Sequence, residues 1–125
     1  MRIAVCATNT DQRQLLSRVV DETLSPKGII PQISIFPLPY ELLETTAGQD
    51  KTFDLVLLSD YDDKGYLSHL CRLTPVILIG QRHLGPTAFE VGAAYFVESP
   101  AEPSKLTEAI GNWLERNRHR YLRYN

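Results

Sequence analysis

The sequence predicts a doubly wound α/β domain: a parallel five-stranded sheet with helices on both faces. Two patterns predict it. Five short apolar runs, rich in branched residues, read as strands buried on both faces of a parallel sheet. Between them, apolar residues recur at three and four positions, the spacing of a helix with one buried stripe. Their alternation along the chain favours one sheet joined by right-handed crossovers.

The elements follow in order. Ile3-Ala4-Val5-Cys6 is the first strand. Leu15, Leu16, Val19, Val20 and Leu24 give the first helix its stripe, with Asn9 or Thr10 as its cap. Ile33-Ser34-Ile35-Phe36 is the second strand, and Leu38, Leu42 and Leu43 mark a short second helix. The third strand is Phe53-Asp54-Leu55-Val56-Leu57-Leu58, ending on Ser59. Tyr66, Leu67, Leu70 and Cys71 mark the third helix, capped by Asp63. Pro75 to Gly80 is the fourth strand. Ala88, Phe89 and Val91 give a fourth helix, crowded at its start by Gly85 and Pro86. Ala94 to Val97 is the fifth strand. Leu106, Ile110, Trp113 and Leu114 mark the last helix, expected over about 103–120, with Pro103 in the first turn where a missing N–H costs nothing.

A chain of 125 residues suits one domain, residues 1–125. Hydrophobic residues make up 43%, too many for a disordered chain. A net charge of −2 supplies no field to recruit nucleic acid or an anionic membrane. No run approaches the roughly 20 apolar residues that span a bilayer, and the start does not read as a signal peptide. Cys6 falls in a buried strand and Cys71 near a helix end, which argues against a disulfide and for a reducing cytoplasm.

In such sheets reactive groups sit just past the carboxyl ends of the strands. Ser59, Asp60, Tyr61, Asp62 and Asp63 should lie there. Asp60 is one residue past Ser59, so strand alternation points it away from the site unless the strand has already broken. Asp60, Asp62 and Asp63 read as a solvated loop before a helix rather than a metal site. His69, His83 and His119 share no metal-ligand spacing and read as surface residues. Gly80-Gln81-Arg82-His83-Leu84-Gly85 lacks the glycine spacing of a phosphate loop and reads as a flexible loop. The arginines from Arg116 to Tyr124 read as a solvated helix end, where cations suit the dipole, rather than a nucleic-acid contact.

Four segments stand in a specific order: Met1 to Cys6 followed by Asp11 to Leu16; Phe53 to Leu58; Thr74 to Ile79; and Gly92 to Pro100 followed by Ala101 to Leu106. Together they resemble a bacterial response-regulator receiver domain over essentially the whole chain. The first helix and Pro39-Tyr40-Glu41-Leu42-Leu43 are similar to receivers of the LytTR type. The resemblance implies a flavodoxin-like three-layer fold of strand order 2-1-3-4-5, a cis-proline turn at Pro100, and a place in two-component signalling or transcription regulation.

The site departs from that family. Where a receiver carries two acidic residues for Mg²⁺, this chain has Ala7 and Thr8, then Asn9. Ser59 stands at the phosphoacceptor, Gly80 at the Thr or Ser, and Ser99, before Pro100, at the lysine. Mg²⁺ wants carboxylate oxygens in octahedral array, and phosphoryl transfer depends on charge neutralisation. The expected pocket of Ala7, Thr8, Asn9, Ser59, Asp60, Gly80, Ser99 and Pro100 is therefore vestigial. No catalytic residue, cofactor or metal is expected.

Receivers signal through the face of the fourth helix, fifth strand and fifth helix. Phe89, Tyr95 and Phe96 belong to it here, and Phe96 takes the position of the switch aromatic. Tyr95 and Phe96 read equally as packed strand residues. The expected function is a phosphorylation-independent module that binds a protein partner or a second copy through that face, with an output domain possible after Asn125. Two alternatives stand beside it. Thr8, Asn9, Thr10 and Ser59 offer neutral hydrogen-bonding groups to a small ligand, or Asp60 accepts the phosphoryl group in a divergent receiver.

Overall fold

The computed structural model describes residues 1–48 and 52–121. Five parallel strands form one sheet in the order β2-β1-β3-β4-β5. They are β1 (Arg2–Cys6), β2 (Gln32–Phe36), β3 (Leu55–Ser59), β4 (Val76–Gly80) and β5 (Tyr95–Glu98). The helices are α1 (Thr10–Leu24), α2 (Pro39–Ala47), α3 (Lys64–Leu73), α4 (Gly85–Val91), α5 (Pro103–Arg116) and a short α6 (Arg118–Tyr121).

Strand alternation sorts the apolar residues into two cores. Ile3, Val5, Leu55, Leu57, Ile77 and Ile79 face α1 and α5, where Leu16, Val20, Ile110 and Trp113 close the layer. Ala4, Cys6, Val56, Leu58 and Leu78 face α2, α3 and α4 through Leu42, Leu67, Leu70 and Ala88. β3 and β4 are buried along their whole length, as central strands covered on both faces must be. Each buried Leu or Ile contributes about 1.5–3 kcal/mol by leaving water. Asn9 caps α1 by accepting from the Gln12 N–H at 2.9 Å, and Asp63 caps α3 by accepting from the Tyr66 N–H at 2.9 Å. Gly92 ends α4 at φ 82°, a left-handed conformation that glycine adopts without a Cβ penalty.

Some expectations need correction. The third strand begins at Leu55, because Asp54 is held outside it: its carboxylate accepts from the Arg2 N–H at 2.7 Å and from the Tyr121 hydroxyl at 2.8 Å. The fourth begins at Val76, after Pro75, and the fifth is Tyr95–Glu98, one residue later than the apolar run suggests. The last helix does not run unbroken to about residue 120. It stops at Arg116, where Asn117 leaves helical geometry and its side chain donates to the Trp113 carbonyl at 2.9 Å. Gly80 to Gly85 is not irregular throughout, as a loop would be. Arg82–Leu84 forms a 3₁₀ turn, and its Leu84 is buried. Of the basic tail, Arg116 lies over the Tyr95 ring and Arg118 pairs with Glu115; residues 122–125 lie outside the described residues.

Candidate functional site

β3 delivers Ser59 to the carboxyl edge of the sheet, 4% exposed. There the strand breaks. Asp60 adopts φ 59°, a left-handed conformation that aspartate tolerates better than most side chains. The break corrects the expectation from strand alternation: Asp60 lines the cleft instead of pointing away from it. The Ser59 hydroxyl donates to Asp60 Oδ2 at 3.0 Å, and the Asp60 N–H donates to the Ile79 carbonyl at 2.8 Å. Asp62, Gly80, His83 and Leu84 complete a cleft of about 240 Å³. Asp60, Asp62 and His83 do not form a metal-binding group; none exists among the described residues.

Gly80 is not an open position. A Cβ on it would lie 2.6 Å from Leu84 Cδ2, well inside contact distance. The 3₁₀ turn brings Leu84 over the end of β4, so an apolar side chain takes the space a hydroxyl-bearing residue would need.

The β1–α1 loop is tied by a cation of the protein's own. Arg13 donates to the Ala7 carbonyl at 2.7 Å, the Thr8 carbonyl at 3.0 Å and Thr10 Oγ1 at 3.0 Å. Charge-assisted bonds of this kind are the stronger class. The Ala7 side chain is buried in the core, and the Asn9 carboxamide oxygen is engaged as the helix cap. The donors that would greet Mg²⁺ are thus neutral, committed or turned inward. These residues do not fit a hard divalent cation. Beneath the loop, burial pushes the Cys6 thiol up to about 12, so no thiolate nucleophile forms there near neutral pH.

The remaining pocket residues fall elsewhere. Ser99 and Pro100, joined by a cis peptide bond, follow β5, and the Ser99 N–H donates to the Gly80 carbonyl at 2.7 Å. Their side chains belong to a separate groove of about 460 Å³ between β5 and α5. Tyr95 and Phe96 line it, with Glu98, Glu102 and Glu108 against Lys105, and Arg82 pairs with Glu98 at 3.3 Å, leaving one carboxylate in excess. Tyr95 and Phe96 are half-buried, while Phe89 on α4 is 89% exposed. So the structure brings Ser59, Asp60 and Gly80 together, sets Thr8 and Asn9 in a tied loop, and places Tyr95 and Phe96 in the second groove. Leu84 and Arg13 are the site residues that sequence patterns missed. Arg13 had a signal, since a cation in the first turns of a helix opposes the dipole unless carbonyls hold it.

No protein-family model matches the chain, and no curated protein does. Solved structures do. The response regulatory domain of protein MrkE from Klebsiella pneumoniae is similar at a TM-score of 0.76, with 14% identity, over 96% of this chain and 100% of that one. A putative pilus assembly protein, CpaE, from Burkholderia thailandensis is similar at 0.72, with 17% identity, over 92% and 98%. A response regulator receiver domain from Clostridium thermocellum is similar at 0.68, with 18% identity, over 94% and 97%. The five-stranded order, the alternating helices and these neighbours give one conclusion: the fold of this chain is that of a response-regulator receiver domain.

Proposed function

We propose that this domain is a non-enzymatic signalling module of the cytoplasm that works without phosphorylation, by binding a partner protein on the α4–β5–α5 face. The observation that carries the reading is Leu84 packed onto Gly80 beside Ser59. A phosphoryl group at the end of β3 would meet an apolar side chain and find neither metal ligands nor a lysine. The switch that such a group would throw must then be thrown from outside. The exposed Phe89 and the groove beside β5 supply a surface for it, and the excess of glutamates there favours a partner segment carrying Lys or Arg. Phosphorylation independence accounts equally for Arg13, which ties the metal-side loop with a guanidinium.

A second reading has one observation in its favour. Asp60 turns into the cleft, so its carboxylate is accessible where a receiver presents its acceptor. Both readings meet in one experiment. The protein is incubated with acetyl phosphate and Mg²⁺, then with beryllofluoride and Mg²⁺, and followed by intact mass and thermal shift. The expected result is no added mass and no change in Tm. Added mass or a stabilisation that disappears in Asp60→Asn would overturn the main reading and establish Asp60 as the acceptor.

A further inference from the structure

We propose that the opposite edge of the sheet, strand β2, is a self-association edge that pairs antiparallel with β2 of a second copy about a twofold axis at Ser34. This goes beyond the function proposed above, since it uses the other edge of the sheet and needs no partner protein.

β2 ends the sheet, with β1 on one side only. The Gln32 N–H donates to the Met1 carbonyl, and the Phe36 carbonyl accepts from the Ala7 N–H. In a parallel ladder alternate residues bond to the neighbour, so Ser34 also faces β1. The N–H and C=O groups of Ile33 and Ile35 therefore point out from the edge. Proteins blunt such edges with charge, with proline or by keeping the strand short; here Pro31 and Pro37 confine the open edge to the five residues of β2, and residues 28–40 contain no charged side chain. Among the described residues, the same stretch holds most of the large exposed apolar ones: Ile30 at 83%, Ile35 at 52%, Leu38 at 52% and Tyr40 at 73%.

The occupant follows from self-complementarity. With Ser34 opposite Ser34, Ile33 of each copy meets Ile35 of the other, and each such pair exchanges both main-chain hydrogen bonds. Pro31 then lies opposite Pro37, so the ladder stops at both ends where neither residue has an N–H to give. Beyond the prolines, exposed Ile30 lies opposite exposed Leu38. The register shifted by two residues also sets proline on proline, Pro31 opposite Pro39, but it puts Pro37 opposite Ile33 and forfeits a main-chain bond there. The β5 groove, with its excess of glutamates, would instead set like charges against each other in a second copy. The interface is small beside a standard one, so the dimer should be weak and concentration-dependent.

Sedimentation equilibrium on the whole chain tests this. The apparent mass should rise from 14.2 kDa toward the dimer value with concentration. Ile35→Lys, at an exposed position, should weaken association at least tenfold with an unchanged circular-dichroism spectrum. A second pair of variants reads the register. Cα atoms of the non-hydrogen-bonded Ser34 pair would sit about 4.5 Å apart, so Ser34→Cys should cross-link into a dimer on mild oxidation, while Gln32→Cys, opposite Phe36, should not. A monomer at every concentration, a dimer indifferent to Ile35→Lys, or equal cross-linking from both cysteine variants would each overturn the proposal.

Discussion

Gly80→Thr restores the hydroxyl that a receiver carries at the end of β4, and in this fold it does so against a steric clash. The new Cβ starts 2.6 Å from Leu84 Cδ2, with Leu84 Cβ and Cγ at 3.6 and 3.7 Å. Relief needs the Leu84 methyl to retreat by about 1 Å, to ordinary carbon–carbon contact. Overpacking of this kind costs about 1–3 kcal/mol. Replacing glycine in a strand returns up to about 1 kcal/mol, so the single variant should lose about 1 kcal/mol net. Leu84→Ala alone should lose about 2 kcal/mol, the lower part of the usual range, because Leu84, though buried, borders the cleft and the space it leaves opens to water. In the double variant the threonine enters space that Leu84 has left. The overpacking cost vanishes and the pair should be more stable than the sum of singles by about 1–2 kcal/mol. Urea unfolding followed by the fluorescence of buried Trp113, the one tryptophan, measures all three. A coupling below about 0.5 kcal/mol would refute the argument that the two side chains compete for one space.

Arg13→Ala removes three hydrogen bonds from the β1–α1 loop and should lower stability by about 2 kcal/mol. That corresponds to roughly 6–10 °C in Tm by calorimetry, with Arg13→Lys recovering less than half because an ammonium lacks the planar fork. Tyr121 gives a pH signature. Burial first, and then its hydrogen bond to the Asp54 carboxylate, push its phenol up from 10.0 to about 12. The fold favours the neutral phenol, so this contribution is complete below pH 10 and is lost as pH rises toward 12. The stability gap between the parent chain and Tyr121→Phe should narrow across that window, and a gap that stays constant would show that folding does not raise the phenol's pKa.

The fold was legible because its signals are local. The buried strands Leu55–Ser59 and Val76–Gly80 are nearly continuous apolar runs, and α1 carries its stripe at helical spacing. The strand ends were less so. Tyr95–Glu98 slips by one residue because the ladder with β4, not hydrophobicity, sets its length. The site was half legible. The vacancies at Ala7, Ser59, Gly80 and Ser99 show in the sequence, but what fills them does not. Leu84 sits among loop residues with no periodicity, and its meeting with Gly80 depends on how the 3₁₀ turn folds back. Asp60 escaped the alternation rule because the rule holds only while the strand continues.

The clasp of Arg13 on the β1–α1 loop has a consequence for control. A loop gathered by a dissolved ion responds to how much of that ion is present, and to anything that takes it away. A loop gathered by a guanidinium on its own helix is gathered once, when the chain folds, and carries no information about the ionic surroundings afterwards. Under the function proposed above, what is left for this domain to report is which molecules touch its two open edges.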